Sequence, residues 1–400
     1  MFMKILTVNA GSSSLKFNMI GLPEEKELIS GNFEKIGLSG GLYSIKINGS
    51  KIKKEADMRD HKDAIDLLIK ELLDNHIIES LDEIDGIGHR LVHGGDKYAS
   101  SVIIDDNVIH TVGELASLAP LHNPANILGV EAFREVLPNV PMVGVFDTAF
   151  HQTMEEEQYL YSVPLSWYKD YQIRKYGFHG TSHKYITKVM QEKLGRKDIN
   201  IISCHIGSGA SICAIKDGKS FDTTMGFTPN AGLIMGTRSG DIDYSVIPYY
   251  MEKTGESLNE VDTILNKKSG LLGLSGKYSD HRDIEAAMAE GDHDAILANN
   301  MYINRIVDYV AKYYVELEGK VDAIVFTAGL GENAREFRED IVNKLNCLGI
   351  KIDPEKNNCI ASYLDIQEGL ISSDDSNVSI YVIPTNEELM IALDTYDLIK

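Results

Sequence analysis

At 400 residues and 43% hydrophobic content, the chain is long enough to bury a large core and to build two domains, or three. Its 39 basic and 60 acidic side chains leave a net charge of −21 with no basic run, which argues against nucleic acid or an anionic membrane as partner. No apolar stretch approaches the roughly 18 residues needed to span a bilayer, and that of MFMKILTVNAG is too short for a signal peptide. Cys204, Cys213, Cys347 and Cys359 show no CxxC spacing. A soluble, reduced, cytoplasmic protein is expected.

Short apolar strands alternate with amphipathic helices, the pattern of an α/β protein. Lys4–Val8 reads as a strand, followed by a small-residue turn and a second strand at Leu15–Ile20. Asp85–Leu91 and Val140–Phe146 read as buried strands, the latter ending at Asp147. The spacing of Ile186, Val189, Met190 and Leu194 predicts a helix over Thr181–Leu194, capped by Thr181 or Ser182 and stopped by Gly195. A strand at Asn200–His205, a turn at Gly207–Gly209 and a strand at Ser211–Ile215 follow, with a hairpin turn at Asp217-Gly218. Val321–Phe326 is a further strand, leading into a loop over Thr327–Asn333 and a helix. After a last strand at Ser379–Ile383, Thr385 and Glu388 have capping-box spacing ahead of a helix with Leu389, Ala392, Leu393 and Tyr396 on one face. The strand, glycine/serine turn and strand near residue 9 recur near residue 205. This repetition implies two related lobes with a cleft between them, 1–150 and 151–384, with the C-terminal helix 385–400 joining the first.

Three glycine-rich turns suit phosphate or nucleotide. NAGSSSLKF (Asn9–Phe17) is rich in backbone and hydroxyl donors, with Lys16 beside it, and lacks the Walker spacing. HIGSG (His205–Gly209) stands in the equivalent place of the second half, and FTAGLGEN (Phe326–Asn333) allows a purine or ribose to lie against backbone. Each alone equally suits a structural turn. Charge gathers in GHRLVHGG (Gly88–Gly95), APLHNPAN (Ala119–Asn126), FDTAFH (Phe146–His151), GFHGTSH (Gly177–His183) and MGTRSGD (Met235–Asp241). Arg90 and Arg238 stand among small or apolar residues, where a planar guanidinium suits carboxylate or phosphate. His179 alone reads more readily as a core histidine than as a catalytic one, and Asp147 as a strand-end ligand or a helix cap.

Together with GLLGLSG (Gly270–Gly276), SDHRD (Ser279–Asp283) and PTNEELMIALDT (Pro384–Thr395), these strings resemble the acetate/propionate/butyrate kinase family over nearly the whole chain. The resemblance implies two ribonuclease-H-like lobes, the duplicated fold of actin, sugar kinases and heat-shock chaperones, with an interlobe active-site cleft. It implies phosphoryl transfer from ATP to a short carboxylic acid, Mg²⁺ or Mn²⁺, and a homodimer. By motif, Asn9 and Glu387 would hold the metal, and Arg90 the substrate carboxylate. Val92, Leu121, Phe178 and Pro229 would surround its methyl group, with His122 nearby. Asp147 takes the acid/base position, and His179 and Arg238 would stabilise the transition state. Lys16, His205, Ile206, Gly207, Ser208, Gly209, Asp280, His281, Arg282, Gly329, Leu330, Gly331, Glu332 and Asn333 would hold nucleotide. Three residues depart from the family pattern: Ser208 replaces an asparagine, His281 a hydrophobic or aromatic residue, and Asn230 an apolar one.

A carboxylate acceptor is ionised at neutral pH, so the expected chemistry is direct in-line transfer, with fixed cations bringing two anions together. Asp147 is expected to orient the metal, its waters or a neighbouring group rather than serve as an obligate base. A covalent route through Glu387 is the mechanistic rival. Acyl-chain length, a GTP or pyrophosphate donor, and a non-catalytic nucleotide switch remain open at this level.

Overall fold

In the computed structural model, residues 2–120 and 122–400 are described, and the chain separates into two compact units. The first runs up to Gln152 and takes in Asn386–Lys400; the second is Thr153–Thr385.

The first unit is built on an eight-stranded sheet of β1 (Met3–Ala10), β2 (Ser14–Leu22), β3 (Lys26–Glu34), β4 (Leu42–Ile47), β5 (Ser50–Glu55), β6 (Gly86–Leu91), β7 (Val102–Ile103) and β8 (Met142–Phe146). Its spatial order is β5-β4-β3-β2-β1-β6-β8-β7. Short connections make β1 to β5 an antiparallel meander, whereas β6 and β8 run parallel to β1. Helix Asn123–Val136 is the crossover between β6 and β8, as a parallel pair requires. Helix His61–Asp74, capped by Asp60, buries Ala64, Ile65, Leu68 and Leu72 in a core shared with Leu6, Phe17, Phe33 and Phe133. Near the other end of the chain, helix Glu387–Ile399 packs Ile391 against Val143 and Val145. Glycine on β6 permits this approach: a Cβ at Gly88 would stand 2.4 Å from Thr395 Oγ1 and 2.6 Å from Ile391 Cγ2. The helix is capped by Asn386, which accepts the Leu389 N–H at 2.9 Å, and not by Thr385. Thr385 is engaged elsewhere, its hydroxyl 2.7 Å from that of Ser182.

The second unit contains β9 (Ile201–Ile206), β10 (Ala210–Lys216), β11 (Lys219–Thr223), β12 (Ala323–Thr327), β13 (Gly369–Leu370) and β14 (Ser379–Val382), in the order β11-β10-β9-β12-β14-β13. Strand β9 pairs antiparallel with β10 and parallel with β12, and β12 parallel with β14. The core order β11-β10-β9-β12-β14 therefore repeats β3-β2-β1-β6-β8, strand for strand and direction for direction. The β10–β11 hairpin turns at Asp217 (φ 51°) and Gly218 (φ 73°), the left-handed pair that a two-residue turn requires.

Two local expectations change here. Helix Gly180–Leu194 starts at His179, whose backbone is left-handed (φ 56°, ψ 22°); Thr181 and Ser182 lie inside its first turn and do not cap it. Gly195 ends the helix in a left-handed conformation, as the sequence suggests. Residues Ala328–Asn333, expected to be a loop, form a short helix, and the helix expected after them is Arg335–Lys344. Among the described residues, no helix is long and apolar enough to cross a membrane.

Candidate active site

In the first unit, chemistry gathers where β1, β6 and β8 end. Arg90, on β6, donates from Nε to Asp147 Oδ1 at 3.0 Å and from Nη2 to Asp147 Oδ2 at 2.5 Å. Its Nη1 donates to Asn9 Oδ1 at 3.3 Å. Burial works against the Arg90 charge, but Asp147 and Glu387 outweigh it and hold the pKa above the usual arginine value. The opposite happens to Glu387, in the first turn of the C-terminal helix. Burial pushes its pKa up to about 7; Arg90 and Lys16 pull down, while Asp147 and Glu388 push up. Lys16 forms an ion pair with Glu388. Asn126 braces the strand ends: its Oδ1 accepts the Val92 N–H at 3.1 Å and its Nδ2 donates to the Ala10 carbonyl at 3.0 Å. Val92 is buried, His122 immediately precedes helix Asn123–Val136, and Leu121 lies outside the described residues.

In the second unit, buried Phe178 precedes His179. The His179 ring stacks on that of His205 with centroids 4.1 Å apart, and its Nδ1 lies 2.9 Å from Ser211 Oγ. A Cβ placed on Gly209 would stand 3.5 Å from Arg238 Nη1 and 3.6 Å from His179 Nε2. The histidine and the arginine thus converge on the HIGSG turn, where glycine leaves space. Arg238 Nη1 donates to the Pro229 carbonyl at 3.1 Å, and no acidic side chain pairs with this arginine among the described residues. Burial alone lowers its pKa. A guanidinium withdrawn from water without a counter-ion is a site for an arriving anion. The segments are stitched together through backbone: Gly236 N–H donates to Ser208 O, and Leu271 N–H to Met235 O.

Beside this point opens a cleft of about 660 Å³, lined by Gly207, Ser208, Gly236, Leu271, Ser279, Asp280, His281, Arg282, Glu285, Tyr302, Gly329, Leu330, Asn333, Ala334, Ser362 and Tyr363. Its size suits a nucleotide. Of the residues expected to hold nucleotide, Lys16, His205, Ile206, Gly209, Gly331 and Glu332 do not line it. His205 and Ile206 belong to β9, and the half-buried Glu332 carboxylate accepts the Thr385 N–H. Asp280 caps helix His281–Ala289 and holds Arg282 by two hydrogen bonds; that arginine keeps the Asp280 pKa at about 2. His281 Nε2 lies 2.8 Å from Asn299 Oδ1, and its ring meets Phe337 edge-on.

The profile of the Acetokinase family matches residues 4–393. The chain belongs to the acetokinase family. It is 54% identical over 393 residues to an acetate kinase of Bacillus cytotoxicus, covering 98% of each chain. The crystal structure of Porphyromonas gingivalis acetate kinase superposes with a TM-score of 0.94 at 44% identity, covering 100% of both chains. A propionate kinase from Francisella tularensis gives 0.92 at 42%, covering 99% of this chain and 100% of that one.

An acetokinase transfers phosphoryl between ATP and acetate with a divalent metal. Among the described residues, no three His, Cys, Asp or Glu side chains gather into a metal cage. The first unit nevertheless fits such an ion: Asn9, Asp147 and Glu387 offer hard oxygen donors, and Asp147, Glu387 and Glu388 outnumber Arg90 and Lys16. A small divalent cation that keeps waters and phosphate oxygens in its shell needs only one or two protein ligands.

The sequence reading missed Tyr302, Glu285, Ser362 and Tyr363, which reach the cleft only through tertiary packing. It also missed Arg338, fully buried in helix Arg335–Lys344. Arg338 donates to the carbonyls of Gly331, Glu332, Asn357 and Ile360 and to Asn357 Oδ1, fastening the Gly329–Asn333 turn to the segment before Ser362. In REFRED it looks like one more surface charge.

Proposed function

We propose that the γ-phosphoryl group of ATP passes to the acetate carboxylate in one direct in-line step, with Mg²⁺ as the metal and Mn²⁺ as its substitute. The acceptor is already ionised, since ordinary carboxyl pKa values lie near roughly 4. The barrier is therefore the approach of two anions, which calls for positioning and charge neutralisation. The observation that carries this reading is Arg238, half-buried without an acidic partner among the described residues and sharing the Gly209 turn with His179 Nε2.

Arg238 and His179 meet the charge developing on the transferred group. Arg90 uses three N–H groups on Asp147 and Asn9, which leaves two of its five for the acetate carboxylate. Asp147 thus orients Arg90 and has no need to act as a base. Val92, Phe178 and Pro229, with Leu121 by its motif alone, are assigned to the methyl group and His122 to the same substrate, and Lys16 contributes positive charge toward the phosphates. Asn9 and Glu387 would hold the Mg²⁺, whose chemistry is to offset phosphate charge. The cleft residues Ser208, Asp280, His281, Arg282, Gly329, Leu330 and Asn333 hold the nucleotide. Gly207 takes part through its backbone, while His205, Ile206, Gly209, Gly331 and Glu332 shape the site from behind.

Replacing Arg238 by alanine should lower turnover by about 10³ or more, judged by other transition-state arginines, with ATP binding retained. Hydroxylamine trapping of acetyl phosphate measures the first and calorimetry the second. Near-normal turnover in Arg238→Ala removes the assignment. Inversion at chirally labelled phosphorus is expected; retention would favour a covalent intermediate on Glu387. Acetate should be preferred over propionate and butyrate by kcat/KM, though one methylene is worth only about 1–3 kcal/mol.

We also propose a homodimer working in the cytoplasm. Exposed Trp167, Tyr171, Tyr244, Tyr249 and Leu258 in the second unit support a protein interface, and cysteines that form no disulfide among the described residues suit a reducing compartment. Sedimentation equilibrium at micromolar concentration tests the assembly, and a monomer would refute it.

A further inference from the structure

We propose that His183, acting through Ser211, fixes the tautomer of His179 so that the His179 Nε2 facing the Gly209 turn carries the proton. This rests on the reading that His179 meets the transferred phosphoryl group.

The geometry is a chain of four side chains. Ser211 Oγ lies 2.9 Å from His179 Nδ1 and 2.9 Å from His183 Nε2. Ser203 Oγ lies 2.9 Å from His183 Nδ1. Ser203 and Ser211 come from the adjacent strands β9 and β10, His179 and His183 from successive turns at the start of one helix. His183, Ser203 and Ser211 are wholly buried, so each hydrogen bond has a definite direction set by its neighbours.

A hydroxyl has one proton to give. If Ser211 donates to His179 Nδ1, it accepts from His183 Nε2–H, and His183 Nδ1 accepts from Ser203. Every group is then satisfied and neutral, and the proton of His179 sits on Nε2. Reversing the chain puts that proton on Nδ1 and leaves an Nε2 lone pair toward the turn, where it would repel phosphoryl oxygens. Protonating both nitrogens would also supply a donor, but would place a second cation beside Arg238. The ionisable groups of the second unit facing His179 include His183 on its own helix, His205 stacked on it from β9, and Arg238. The relay therefore offers a donor without adding charge. His183 and Ser211 are positioning residues and His179 is the group that meets substrate.

The test has two arms. In protein labelled with ¹⁵N-histidine, two-bond ¹H–¹⁵N couplings at pH 8 should show His179 as the Nε2–H tautomer, with its signals assigned by their loss in His179→Gln. An Nδ1–H tautomer overturns the proposal, and this arm needs no relay variant to fold. In the second arm, Ser211→Ala and His183→Asn should lower kcat by about 10–100-fold, the range typical of residues that orient a functional histidine. The KM values should hold within about twofold on the same reasoning. Their residual kcat should rise as pH falls, because protonation restores the Nε2–H donor, whereas the parent profile stays flat over that range. His183→Gln, which can still present an N–H to Ser211, should restore most of kcat. Parental kcat and pH profile in both Ser211→Ala and His183→Asn overturn the relay. Normal turnover in His179→Gln would instead overturn the reading of the site, leaving the tautomer spectrum to judge the relay itself.

Discussion

Glu387 is an acid that its surroundings keep from ionising fully at neutral pH. Its folded pKa of about 7 lies above the ordinary value of 4.5, burial being the largest cause. For a group shifted this way, the folded state is favoured below the unfolded pKa, and that advantage is lost as pH rises through about 7. At about 1.4 kcal/mol per pH unit, the metal-free protein should be about 3 kcal/mol less stable at pH 8 than it would be with an unshifted carboxyl. Glu387→Gln keeps the shape and removes the charge. In chelator it should therefore melt higher than the parent at pH 8 and close to it at pH 4.5. Mg²⁺ competes with the proton, so it should stabilise the parent more at pH 8 than at pH 6, and Glu387→Gln much less at either. Equal melting of parent and variant in chelator at pH 8 would contradict this. The sequence reveals Glu387 as a carboxylate in the first turn of a helix, a place that favours its charge. It cannot reveal the burial or the nearby Asp147, which join the adjacent Glu388 in reversing the outcome, since burial comes from packing and Asp147 from an element more than two hundred residues away.

Among the elements, short segments position the cations, and glycine does much of the fastening. Gly270 opens helix Gly270–Ser275 with φ 62°, and a Cβ there would stand 2.0 Å from the Met235 carbonyl oxygen and 2.6 Å from that of Arg238. Gly270→Ala must displace the Arg238 backbone. Since a misplacement of about 1 Å can cost 10²-fold, turnover should fall by about that factor with ATP affinity within a few-fold, as calorimetry and trapping would reveal. Unchanged turnover would mean that the loop yields without moving Arg238. Arg338 fastens another segment. Arg338→Met strands buried carbonyls, so a loss on the order of 3 kcal/mol and a raised KM for ATP are expected, read by denaturant unfolding and initial rates. A KM unchanged in a folded variant would separate Arg338 from the cleft. The strings GLLGLSG and MGTRSGD stand out in the sequence, but their contact does not, because nothing local encodes it. Helix boundaries fail for a related reason. Thr385 and Asn386 are both good caps, and the hydrogen bond between Thr385 and Ser182 leaves the role to Asn386.

At the scale of the molecule, one strand topology is used twice, and the sequence hints at this through the recurring strand, glycine/serine turn and strand at Asn9 and His205. Residue identity between the halves is weak because each core needs only apolar residues of the right period, while hydrogen-bond topology is set by turn lengths and crossovers. The helix over 387–399 was legible, but its buried face is Leu389, Met390, Ile391, Ala392 and Thr395 and not the expected Leu389, Ala392, Leu393 and Tyr396, because periodicity on one helix cannot say which sheet it covers. Here the chain ends by returning to the first unit, where Thr395 and Ile391 lie over Gly88 and Ile399 over Gly86. The first unit is thus completed by its last fifteen residues, Asn386–Lys400. A protein ending at Thr385 would expose one face of β1, β6 and β8 and lose Glu387. Its amides in β6 and β8 should exchange with solvent orders of magnitude faster than in the full chain, while those of β9 and β12 keep their protection. Gly88→Val is the gentler form of the same test: its side chain must lift the helix from the sheet, at about 1–3 kcal/mol or more for overpacking. Native protection of β6 in the truncated chain would mean that the helix merely rests on the first unit, and that Glu387 is held in place by some other element.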